Sequence, residues 1–224
     1  MRVKQSVGVR GSLKWIQQAV NEQWPSLNRP IIQCVGNSPI TWLSPLVTDE
    51  FAEYRDGAFL ELIGQPQLVA PLKAQWPSRG PQWDALGKTS RGAVLLVEAK
   101  AHIAEMCSPG TAASSDSRTR IEVTLAEVAQ QLGANSARAP WADHFYQLAN
   151  RLAHLHFLRK HGVPSWLVLV NFLGDAEMGG PTTRDAWEAA YEVAFHVMGL
   201  PKRHALSPFI IHVYPSVSAG AARV

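Results

Sequence analysis

The sequence predicts an α/β (α+β) fold, a mixed β-sheet with helices on both sides in three layers. Three observations carry this. Two apolar runs, 93–97 ("AVLLV") and 166–173 ("WLVLVNFL"), have the length and composition of strands buried on both faces. Several longer segments, most clearly 142–161, carry apolar residues at helical spacing. Strands and helices alternate along the chain, the order of a sheet covered by helices.

Taken in order, residues 12–24 ("SLKWIQQAVNEQW") predict a helix, with Ser12 as N-cap, an apolar stripe through Trp15, Ile16, Val20 and Trp24, and Pro25 as its stop. Residues 25–48 are rich in Pro, Asn and Ser and predict irregular chain with a short strand at "PIIQCVG" (30–36). Residues 49–63 predict a second helix with Phe51, Ala58, Phe59 and Leu62 on one side and Gly64 as the stop. Residues 66–77 predict a strand interrupted by a proline. A turn at "SRGP", a short strand at "QWDAL" (82–86), a turn at "GKTSRG" (87–92) and the strand 93–102 follow.

The small polar segment 108–119 predicts a loop. Helices are predicted at 119–132 and at 142–161, the latter burying Phe145, Leu148, Leu152, Leu155 and Leu158 and ending at Gly162 and Pro164. The strand 166–173, a loop at "GDAEMGGP", a helix at 184–198 and a last strand at 209–215 complete the chain. No internal repeat or linker divides residues 1–224, so one domain is expected.

Composition narrows the function classes. The chain has 224 residues, 46% hydrophobic and 17% charged, enough for one sizeable core and unlike a disordered chain. A net charge of +3 permits a polyanionic partner without demanding one. Cys34 and Cys107 lie outside any metal-binding spacing, so neither a zinc site nor a disulfide framework is expected. The N-terminal stretch lacks the apolar core of a signal peptide, and no apolar run is long enough to span a bilayer. These features predict a cytoplasmic protein with no membrane partner. Eight tryptophans are expected mainly as packing groups.

The chemistry concentrates at the end of one strand. Glu98, Lys100 and His102 follow "AVLLV" at every second position and so share a face. Buried unpaired charges are costly, so these groups must be solvated, paired or bound. If "QWDAL" pairs with this strand through the "GKTSRG" turn, Asp84 lies close to Glu98. Two carboxylates held together repel unless a cation separates them. Such hard oxygen ligands suit Mg²⁺ or Mn²⁺, and a neighbouring lysine would stabilise an anionic substrate or an attacking water. This combination points to phosphodiester hydrolysis.

Asp84, followed after 13 residues by Glu98-Ala99-Lys100 at the end of an apolar strand, resembles the PD-(D/E)XK nuclease superfamily. The resemblance spans about residues 49–173. It implies a restriction-endonuclease-like αβββαβ core and a Mg²⁺- or Mn²⁺-dependent nuclease acting on DNA or RNA. It further implies Asp84, Glu98 and the Ala99 backbone carbonyl as metal ligands, and Lys100 as the residue that orients or helps deprotonate the water. A carboxylate on the first core helix often joins the site; Glu53 is the choice, with Glu50 and Glu61 as rivals. The chain departs from the pattern in having Trp83 before the aspartate, with Pro81 further upstream. A catalytically inactive module of the same fold, binding nucleic acid or protein, is the alternative.

Two further features bear on the site. Gln147, Asn150, Arg151 and His154 share a helix face opposite the leucines, either turned to the site or solvated. His102 is expected to be a satisfied edge residue, and "EMGGPTTRDAW" a loop with a helix cap.

Overall fold

The computed structural model describes residues 1–107, 109–135 and 140–218. Ser108, the first residue of the expected polar loop, lies outside them.

The chain opens with β1 (Arg2–Val3), α1 (Gly11–Asn21) and α2 (Pro25–Cys34). α1 is the expected first helix, closed by a turn in which Gln23 takes φ 53°. α2 replaces the irregular chain and short strand expected from 25 onward. Pro25 sits at the first helical position, where its fixed φ suits the helix and its missing N–H is no loss. Leu27 and Ile31, four residues apart, are buried by it. β2 (Ile40–Ser44) is a strand that local periodicity does not announce.

The single helix expected at 49–63 is divided. A 3-10 turn (Val47–Asp49), β3 (Glu53–Tyr54) and α3 (Asp56–Leu62) take its place. Positive φ values at Glu50 (55°), Phe51 (51°) and Asp56 (53°) interrupt any helix there. β3 pairs instead with β1, Val3 opposite Glu53. The strand expected at 66–77 is a 3-10 turn (Pro66–Leu68) and then α4 (Val69–Gln75), whose first turn tolerates Pro71.

β4 (Ala85–Thr89) and β5 (Val94–Lys100) form the expected hairpin, although β4 starts just after Asp84 and runs through residues 87–89, expected to be turn. α5 (Ser115–Gln131), α6 (Tyr146–Lys160), β6 (Ser165–Asn171), α7 (Arg184–Val197) and β7 (Ile210–Val213) agree with the sequence to within about a helical turn.

The main sheet has the order β2–β4–β5–β6–β7. The β2–β4 and β4–β5 pairs are antiparallel, and β5–β6 and β6–β7 are parallel, so the sheet is mixed. Helices bridge each parallel pair, as a crossover requires. Among the described residues the fold is therefore mixed α/β, with this five-stranded sheet and seven α-helices.

Each face of the sheet has its own core. Leu95, Val97 and Ala99 of β5 pack with Val168 and Val170 of β6 and with Ile16, Val20, Leu27 and Ile31 from α1 and α2. Val94 and Leu96 face the other way, onto a core that includes Leu60, Leu125, Leu152 and Trp187. Burying such a side chain contributes about 1.5–3 kcal/mol relative to exposure. β5 is buried along its whole length, which fixes the strand that carries Glu98 and Lys100. Period 2 puts both on the second face, toward α6. Six of the eight tryptophans are buried, in keeping with packing roles, and both cysteines are free and exposed. No helix among the described residues is long and apolar enough to cross a membrane.

Candidate active site

The hairpin register pairs Ala85 with Val97 and Leu86 with Leu96. Extended one step past its last pair, that register brings Asp84 alongside Glu98, close enough for the two charges to act on each other. Here a side chain takes over from the ladder: Asp84 Oδ2 accepts a hydrogen bond from the Ala99 N–H at 2.7 Å. The Lys100 carbonyl accepts from the Phe172 N–H, on the β6 side. Peptide groups alternate along a strand, so the Ala99 carbonyl projects from the opposite edge, beside Asp84. Asp84, Glu98, Ala99, Lys100 and Glu53 all line one cleft of about 680 Å³.

Glu98 is the most tightly held member. Lys100 Nζ donates to its Oε1 and to Gln147 Oε1 (2.8 Å). Arg151 Nε donates to its Oε2, and Arg151 Nη2 donates to the Gln82 carbonyl at 2.8 Å. The guanidinium also lies 4.8 Å from the Trp83 ring centroid. Burial alone would raise the Glu98 pKa, but the charges of Arg151 and Lys100 outweigh it and hold the carboxyl below its ordinary value. Burial likewise opposes the Lys100 ammonium, and the charges of Glu98 and Asp84 overcome it, so the Lys100 pKa is raised. Lys100 is therefore held as a cation that donates hydrogen bonds.

Asp84 behaves oppositely. Burial, then repulsion from Glu98 and Glu53, pushes its pKa well above the ordinary carboxyl value. Its second oxygen, Oδ1, has no donor among the described residues.

Of the three rival carboxylates, Glu53 reaches the cleft. It is buried, and its Oε2 accepts from Gln82 Nε2 and from Gln5 Nε2 (3.1 Å). It stands on β3, not on a helix as expected. Burial raises its pKa, with the Gln82 hydrogen bond and the Arg151 charge opposing. Glu50 is bound on the surface by Lys4 and Arg2, and Glu61 is exposed.

The polar face of α6 turns toward the cleft and the core, with Asn150, Arg151 and His154 buried and Gln147 half-buried. Gln147, Asn150 and Arg151 line the cleft. His154 turns away from it: its ring centroid lies 4.9 Å from that of Trp76 and 6.2 Å from those of Phe59 and Trp83. Its Nδ1 bonds the Asn150 carbonyl at 2.9 Å, and burial lowers its pKa to about 4. His154 is a neutral core group. His102 does not line the cleft, and its Nε2 lies 3.1 Å from Glu105 Oε1, the satisfied edge position expected of it. In the Gly-Gly loop, Gly180 packs directly on the Ala101 carbonyl.

The sequence does not announce the Arg151–Glu98 ion pair or the amides of Gln5 and Gln82 on Glu53. The one available signal is that Gln82 and Asp84 are two residues apart and so share a side in extended chain.

The donor set suits a hard divalent cation, since two carboxylates and a carbonyl leave positions for water and phosphate oxygens. The cleft also holds more acid than base, Glu53, Asp84, Glu98 and Glu105 against Lys100 and Arg151. A cation between Asp84 and Glu98 would relieve the repulsion that raises the Asp84 pKa. Among the described residues, no group of three or more His, Cys, Asp and Glu side chains is gathered closely enough to hold a metal ion by itself. The Ala99 carbonyl would complete the set.

Comparison with protein-family models, with curated proteins and with solved structures found no match.

Proposed function

We propose that this chain is a divalent-metal-dependent nuclease of the PD-(D/E)XK, restriction-endonuclease-like kind, hydrolysing phosphodiester bonds of DNA or RNA. The observation that carries the reading is the register that brings Asp84 alongside Glu98, with Lys100 on the same face of β5. The antiparallel β2–β4–β5 segment followed by helices and the parallel β6 supports the αβββαβ layering of that family.

Asp84, Glu98 and the Ala99 carbonyl would hold Mg²⁺ or Mn²⁺, which supplies Lewis acidity toward phosphate and water. In the net reaction a water oxygen bonds to phosphorus, one P–O ester bond breaks, and the departing oxygen gains a proton. Lys100, kept protonated by Glu98 and Asp84, donates to a non-bridging phosphate oxygen and offsets the charge that builds there. Gln147 and Arg151 fix Lys100 and Glu98 in place. Glu53 has a raised pKa and no donor on Oε1 among the described residues, which fits it to hold a proton at that atom.

The test is cleavage of plasmid and labelled oligonucleotides with Mg²⁺ or Mn²⁺, against EDTA. Asp84→Asn and Lys100→Met should each lower the rate by orders of magnitude, since charge stabilisation of this kind commonly supplies a factor of about 10²–10³ per group. Intact substrate with both metals, together with no Mn²⁺ bound by electron paramagnetic resonance, would overturn the reading.

One observation favours the alternative of an inactive module. Both Glu98 oxygens are already in ion pairs, with Lys100 and with Arg151. Under that alternative the acids are a structural network, and Asp84→Asn leaves nucleic-acid or protein binding unchanged.

A further inference from the structure

The dimensions of the cleft bear on what can enter it. Its volume of about 680 Å³ falls within the roughly 300–1,000 Å³ of sites that enclose one small ligand. A nucleotide or two fills such a space. The reacting groups lie on its floor: Glu98 is 4% exposed, Glu53 5% and Lys100 7%. A duplex keeps its bases stacked and paired in a stiff rod with grooves about 12 and 6 Å wide. Its phosphates lie on the outside of that rod, which reaches a recessed floor less readily than a flexible strand does.

Charge points the same way. A protein that tracks a long polyanion lines the path with Lys and Arg, each replacing counterions. The cations of this cleft are Lys100 and Arg151, and both are paired with Glu98. Two cations are few for tracking a run of phosphates.

The walls supply what an unstacked base seeks. Tyr146 lines the cleft half-buried, with Pro81 and Pro109 as further apolar groups on its walls. Gln82 and Asn150 bring amides to the same space. Aromatic stacking with hydrogen bonds to the exposed base edges is how single strands are held.

Resting on the nuclease reading, we propose that the cleft accepts single-stranded nucleic acid, with one unstacked base seated on Tyr146, and excludes continuous duplex.

The test uses fluorescence anisotropy of a short labelled oligonucleotide and of its blunt duplex, both in EDTA, followed by cleavage assays in Mn²⁺. The wild-type chain should bind the single strand at least about tenfold more tightly than the duplex, the scale of one stacked base. Tyr146→Ala should lose about that factor for the single strand and leave duplex binding unchanged, and Tyr146→Phe should retain it. In Mn²⁺, single strands should be cut and covalently closed duplex spared. Equal binding of the two forms, or duplex cut as fast as single strand, overturns the substrate assignment and leaves the nuclease standing. Single-strand preference in EDTA with no cleavage in any metal sustains the ligand and overturns the nuclease.

Discussion

Arg151 grips Glu98 through both Nε and Nη2 at a place where neither side chain is more than 5% exposed. Removing one partner of a buried ion pair strands the other charge, at a cost of about 3–5 kcal/mol. Arg151→Met should therefore lower stability by about that much in urea unfolding, although Lys100 still holds one Glu98 oxygen. Adding Glu98→Gln to Arg151→Met should recover part of the loss. An unchanged midpoint for the single variant would show that the pair contributes nothing.

Asp84 makes the opposite prediction. Burial, followed by Glu98 and Glu53, raises its pKa, so its ionisation opposes folding. The penalty is absent below the ordinary value of 3.8, grows as pH rises and is complete above the folded-state value. Asp84→Asn should stabilise the metal-free chain at pH 7 by about 1 kcal/mol, roughly 2–4 °C in Tm. The gain should vanish toward pH 4, and Mn²⁺ should stabilise the wild-type chain but not the variant. Thermal scans across pH, with and without Mn²⁺, check both statements.

Burial lowers His154 and His212 to about 4 each. A depressed histidine leaves stability intact above its ordinary value of 6.5. Stability then falls as pH drops from there and reaches its full loss below about 4, about 3 kcal/mol per ring. Ring-proton NMR should show two of the eight histidines silent until near pH 4. Midrange titration of all eight would contradict the packing of these rings.

Gly180 is a steric requirement. A Cβ there would lie 2.2 Å from the Ala101 carbonyl oxygen, directly after Lys100 in the chain. Gly180→Ala should cost about 1–3 kcal/mol through forced backbone movement. It should also depress any cleavage activity more than it depresses the Tm. Gly179 has open space around it but φ +64°, so Gly179→Asn should be tolerated far better. Calorimetry of the two variants separates crowding from backbone strain.

The approach of Asp84 to Glu98 was open to local reasoning, because the two lie just past one end of a hairpin. A short turn joins the two strands, and period 2 sets which side chains share a face. Glu53 shows the limit. It is the carboxylate that reaches the cleft, yet its element is a strand whose partner is Val3, at the far N-terminus. Local periodicity carries no record of such a pairing. Pro71 misled in another way: it suggested interrupted strand, where it occupies the first turn of α4. A helical wheel groups Arg151 with His154, but it gives direction and not surroundings. One side chain meets an acid and the other a nest of aromatic rings.

β4 stops pairing at Ala85 while β5 runs on to Lys100, leaving a notch where two neighbouring strands differ in length. There a peptide N–H that a longer neighbour would have claimed is taken by a carboxylate instead. The notch belongs to neither hydrophobic layer. Lengthening β4 by a residue or two would seal it and close off the proposed metal site, while both layers kept their packing. In such an architecture a site of this kind is opened or closed by trimming or extending a single ladder.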